Sequence, residues 1–363
     1  MPSKTVALIG TKRGLFTLTW SKRSGPGKLA GPFLGNEPVN IAIIDPRDGA
    51  WYAGINSWHW GPSIHKSTDK GKTWKPAKQQ PRFNKEKNAE VAAIWQIIPD
   101  SPDRPKSLYV GVAPAALFHS DDSGKTWNEV EGLSKHETRE KWQPGNGGLC
   151  LHTILINPND SKHLIIGISS VGVFESKDRG ASWTLANTGL HAVFHPQKQG
   201  ENTIGSCIHK IAIAAGKTGD PLRLYQQNHV GMWRRDGAGA WTSIKNNIPS
   251  TFGFPVAAHP TNRECAWLIP LEGDFHREPK DGKLTVYRTE NGGKKWEALR
   301  KGLPGNSHEG ILRDGFSNDL HKTPGLYFGT TSGQVYASFN EGDSWTLGAE
   351  LLPCVYSVKA FEV

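Results

Sequence analysis

Short apolar runs recur along the chain, each bounded by Gly, Pro, Asn, Asp or Ser. One stretch reads Ala93-Ile94-Trp95-Gln96-Ile97-Ile98, a turn at Ser101-Pro102-Asp103, Ser107-Leu108-Tyr109-Val110-Gly111, then Leu117-Phe118-His119-Ser120. The next repeats it as Leu151–Ile156, Asn157-Pro158, Leu164–Gly167 and Gly172–Ser176. Short strands separated by turn signals at this spacing predict four-stranded antiparallel units. First strands are predicted to start near Val39, Ile94, Leu151, Ile208, Phe254 and Ile311. A further unit comes from the two ends: Val355–Phe361 reads as a first strand, and Val6–Gly10 with Gly14–Thr17 as the second and third. The prediction is all-β: residues 1–363 as a single seven-bladed β-propeller, its ring closed by pairing of the N- and C-terminal strands, which removes exposed sheet edges.

Between the third and fourth strands stands Ser-x-Asp-x-Gly-x-Thr-Trp, at Ser67–Trp74 and Ser120–Trp127, with Ser176–Trp183 nearly the same. Weaker copies end at Trp241, Trp296 and Trp345, where Asp236, Asn291 and Asn340 hold the Asp position. A period of about 50–58 residues falls in the range of propellers and solenoids. The Asp is read as an acceptor for its own turn, the Gly as a residue with positive φ, and the Trp as packing between blades. In a four-stranded meander the turns after strands one and three share one face, and those after two and four share the other. The Asp turns therefore mark the face away from the predicted chemistry.

These turns resemble the Asp-box (BNR) repeat of sialidases, sortilin-type domains, xyloglucanases and photosystem II assembly factors. Gly10–Phe16, Trp142–His152, Tyr225–His229 and Phe252–Pro255 also resemble a bacterial single-propeller family labelled sialidase-like or glycosyl-hydrolase-like. The resemblance implies a propeller and leaves the reaction open, since one fold hosts many functions. A sialidase is disfavoured. The chain has no Arg-Ile-Pro, only Arg313 of an arginine triad falls on a first strand, and Tyr356 has no evident Glu partner.

The 41 Gly, 24 Pro and 14 Trp suit strands joined by tight turns and anchored by aromatics. A net charge of +9 would suit nucleic acid, but Lys70, Lys72, Lys125, Lys177 and Arg179 lie in the repeated turns rather than along one stripe. A nucleic-acid partner is therefore not expected. The four cysteines make no disulfide scaffold; Cys150 and Cys207, each two residues before a His, read as small buried groups at strand starts. No apolar run is long enough for a membrane span, and the N-terminus shows no signal peptide, so a cytoplasmic location is expected.

Candidate chemistry gathers on the face opposite the Asp turns. His152 and His209 are expected at equivalent first-strand positions, where Asn40 and Gln96 stand in earlier blades. The fourth blade replaces the usual strand-two Gly with Gln226-Gln227-Asn228-His229, and its Asp turn has decayed. The fifth carries an insertion, Pro270–Pro279, with Glu272, Asp274, His276 and Glu278. The predicted catalytic set is His152, His209, His229, Asp274 and Glu309, with the imidazoles as acid/base and the carboxylates as partners. Gln226, Gln227, Asn228, Arg313, Trp58, Trp142 and Asn146 are the predicted ligand-binding set, for a small polar molecule or carbohydrate. No cofactor is expected, and no metal, because no tight ligand spacing is present. Two functions remain open: a hydrolase or lyase acting on a sugar-like ligand, and a non-catalytic scaffold for a protein partner.

Overall fold

The computed structural model describes residues 4–363 apart from 24, 85–88, 215 and 218. Seven four-stranded antiparallel sheets form the blades of the propeller. In the third, Leu151–Asn157, Asp160–Ile168, Gly172–Ser176 and Thr184–Leu185 follow one another from the inside outward. The fourth has the same order in Ile208–Ala214, Arg223–Asn228, Gly231–Asp236 and Thr242–Ser243. Val355–Glu362 pairs with Thr5–Thr11, and Gly14–Trp20 and Lys28–Phe33 complete the seventh blade, so both ends share one sheet.

The core lies between blades rather than within them. Ile41, Ile43 and Tyr52 of the first blade pack with Ile94, Val110, Phe118 and Trp127 of the second. Trp127, only 2% exposed, is the turn tryptophan, and burying such a side chain stabilises by about 3 kcal/mol. The second strand carries Gly where the next blade's inner strand comes closest. A Cβ at Gly111 would lie 2.3 Å from the Leu151 carbonyl oxygen, so only glycine fits.

Two sequence expectations shift. Each inner strand of blades one to four contains a β-bulge, an extra residue opposite none on the partner. The bulged residues are Asn40, Trp95, His152 and His209, so the equivalent of the two histidines in the second blade is Trp95, not Gln96. The sixth inner strand begins at Phe316 rather than near Ile311, because Gly315 N–H bonds the Leu312 carbonyl in a turn just before it.

Candidate functional site

The Asp turns are closed structural clasps. Ser67 Oγ donates to Asp69 Oδ1 (2.8 Å) and accepts from Gly71 N–H (2.9 Å), while Thr73 gives its N–H and its hydroxyl to Asp69 (2.9 and 2.6 Å). The same bonds recur at Asp122 and Asp178. Hydrogen bonds from Ser182, then Ser176, hold Asp178 down at about 2. In the fourth blade, Asp236 is held instead by Arg223 (2.6 Å) and Arg263 (2.9 Å). The decayed turn has thus exchanged local hydroxyl donors for arginines.

On the opposite face the fourth blade opens a polar mouth. His229 N–H donates to the Cys207 carbonyl (3.0 Å), which fixes these two residues across the end of the first hairpin. The bulge turns His209 toward them, with Nε2 3.8 Å from Cys207 Sγ. Its Nδ1–H donates to the Gly253 carbonyl at 2.6 Å, so Nε2 keeps the lone pair. The His209 and His229 rings lie 5.7 Å apart at 78°. Phe252 flanks both at 5.3 Å, and Phe254 lies 4.8 Å from His209. Burial, then the field of Arg313, drives the His209 pKa well below its ordinary value, so the ring is neutral. The inserted segment brings Asp274 Oδ2 to 3.4 Å from His229 Nε2, and both side chains remain about one-third exposed (31% and 29%).

Of the other predicted residues, Arg313 borders this group through Phe254. His152 is fully buried: Nε2–H donates to the Ile208 carbonyl (3.0 Å) and Nδ1 meets the Thr153 hydroxyl (3.0 Å), leaving no ring nitrogen free. Glu309 is buried against the Ser307 hydroxyl (2.9 Å), and His308 pairs with Glu278 (2.7 Å). Trp142 is a packing residue, buried against Phe174, with its indole N–H on the Thr138 hydroxyl. Gln226, Gln227 and Asn228 are all buried. Gln227 fills the place that other blades give to glycine and donates to the Thr251 carbonyl; Gly253 of the next blade makes the room. Arg313 lies over Trp95 (5.6 Å) and Phe254 (5.2 Å). Asn146 is exposed on its loop, and Trp58 is 94% exposed at the turn after the first blade's second strand, on the face of the mouth.

The central channel holds charges not singled out from the sequence. Lys210 and Lys359 each bond Asp314 Oδ1 at 2.7 Å, and the Gln96 amide adds a third contact at 3.3 Å. Burial pulls Lys210 down to about 8 against the opposing pull of Asp314. Burial alone would raise Asp314, but Lys210 and Lys359 outweigh it and hold the carboxylate ionised. These residues lie on blades far apart in sequence, so no local pattern marks them. Cys207 was legible only as a thiol two residues before a histidine.

The fold and this mouth define the chain as a seven-bladed β-propeller with a polar, aromatic-walled site on one face. No protein-family model matches it. It is 27% identical over 199 residues to xyloglucanase Xgh74A of Acetivibrio thermocellus, covering 50% of this chain and 21% of that protein. It is 25% identical over 311 residues to a xyloglucanase of Paenibacillus sp, covering 75% and 28%. The chain thus spans between about a fifth and somewhat over a quarter of the length of these relatives. Among solved structures, the GH74 enzyme of Niastella koreensis superimposes with TM-score 0.62 at 16% identity, over 96% of this chain and 56% of that one. YCF48 bound to D1 peptide gives 0.56 at 11% identity, over 96% and 84%. Both structures share the fold.

Proposed function

We propose that the chain is a carbohydrate-active hydrolase working at the mouth of the fourth and fifth blades. The observation that carries this is the His229–Asp274 pair, 3.4 Å apart and partly open to solvent. The carboxylate orients the imidazole, so that His229 can pass a proton to a leaving oxygen. Phe252 packs edge-on against the His229 ring. Arg313 supplies a cation, and Trp58 and Trp60, 94% and 85% exposed on the same face, offer flat surfaces to sugar rings. Relatedness to proteins named xyloglucanases over up to three-quarters of the chain supports a β-glucan-type ligand.

A second reading, a non-catalytic scaffold, is favoured by one observation: two acids of this face are already paired, Glu278 with His308 and Glu272 with Lys280. Release of new reducing ends from xyloglucan and other β-glucan oligosaccharides separates the two readings. Turnover is expected, with Asp274→Asn and His229→Gln each slowing it about 100-fold or more. Binding without turnover would leave the scaffold; turnover unchanged in both variants would move the chemistry elsewhere.

A further inference from the structure

Among the described residues, Cys207, His209 and His229 form the one group of three His, Cys, Asp or Glu ligand atoms close enough to share an ion. One ligand atom from each lies within 4.8 Å of the others. We propose that these three residues bind a divalent transition-metal ion, with zinc(II) the best match to one sulfur and two imidazole nitrogens.

The geometry supports this in three ways. Zinc–sulfur and zinc–nitrogen bonds of about 2.3 and 2.0 Å at a tetrahedral angle place S and N about 3.5 Å apart. The observed Cys207 Sγ–His209 Nε2 separation is 3.8 Å, so this edge needs only a small rotation to close. His209 is already in the tautomer a ligand needs. Its Nδ1–H is tied to the Gly253 carbonyl, the outer-sphere bond that commonly orients a metal-bound histidine, and Nε2 faces the thiol. The Asp274 carboxylate beside His229 Nε2 supplies the matching partner for the second imidazole and negative charge next to the site.

The Cys207 thiol is in no disulfide and is partly exposed. Phe252 and Phe254 flank His209, while His229 and Asp274 remain partly exposed to solvent. Cys150 of the third blade has no such surroundings: its Sγ lies 3.2 Å from the Ser169 hydroxyl, and His152 has both nitrogens engaged.

Cobalt(II) provides the probe, because a cysteine thiolate on cobalt gives a near-ultraviolet charge-transfer band. The full chain, stripped with chelator, is titrated with cobalt(II) and back-titrated with zinc(II). One cobalt per chain is expected, with the band displaced by zinc. Cys207→Ser should abolish the band, Cys150→Ser should retain it, and Asp274→Asn should weaken binding about 10–100-fold. Circular dichroism of each variant confirms that a lost band is not lost fold. No band in the folded wild type, or a band surviving Cys207→Ser, overturns the proposal. The site shares His229 and Asp274 with the carbohydrate reading, and an ion on His229 would take that imidazole out of proton transfer, so each reading has its own readout. Cobalt binding without turnover would sink only that reading, and turnover that needs Asp274 without a cobalt band would sink only this one.

Discussion

In the third blade Cys150 faces the Ser169 hydroxyl, and His152 two residues on uses both ring nitrogens inside the protein. In the fourth, the same hairpin end sets Cys207 opposite His229, and His209 turns Nε2 toward the Cys207 thiol. The backbone is alike in both: a bulge at the histidine, and a hydrogen bond to the cysteine carbonyl from Ser169 in one and His229 in the other. Three changes separate them. His229 replaces Ser169, Gln227 replaces Gly167, and the next inner strand offers the Gly253 carbonyl to Nδ1 where the third blade offers Ile208 to Nε2. One repeat can therefore serve as packing in one blade and as a candidate site in the next, with the tautomer as the dividing feature.

The largest expected effect is on stability. His152→Ala removes a buried ring and leaves the Ile208 carbonyl without its donor, which should destabilise by about 3 kcal/mol in urea unfolding. His229→Ala, partly exposed, should stay within about 1 kcal/mol of the wild type. Equal losses in the two variants would erase the distinction between the blades.

A smaller effect concerns the opposite face. Asp178 of the third blade is depressed to about 2 by its turn hydroxyls. Asp236 of the fourth is also depressed: burial opposes, but Arg223 and then Arg234 and Arg263 prevail. A carboxylate with a lowered folded pKa contributes stability that is complete above its unfolded value, near pH 4, and is lost as pH falls toward 2. Melting temperatures should therefore drop between pH 4 and 2, and Asp178→Asn and Asp236→Asn should each flatten that limb. An unchanged limb in Asp236→Asn would show that the arginines do not substitute for the lost turn.

The blade architecture was legible in the sequence because every strand and turn is local and repeated; even the closing strand announced itself as a first strand without its partners. The face of the mouth was legible too, from strand parity. The particular contacts were not. The bulge changes which residue is equivalent to which, so Gln96 stood in for Trp95. Gln226, Gln227 and Asn228 looked like a polar lining because they replace a glycine pattern. A departure from glycine next to a neighbouring strand first has to be packed, and Gln227 is an inter-blade spacer. Trp142 lies in a loop by sequence, but the chain folds it under, onto Phe174. The pairing of His229 with Asp274 joins two blades, and the sequence carries only their shared face, not the contact.

The contrast between the blades is tested most directly by long-range proton–nitrogen correlation of the histidine rings, read before and after zinc(II) is added. The account predicts opposite neutral tautomers, Nε2–H for His152 and Nδ1–H for His209, with zinc shifting His209 and His229 and leaving His152 in place. The same tautomer in both rings, or a zinc shift at His152, would contradict it.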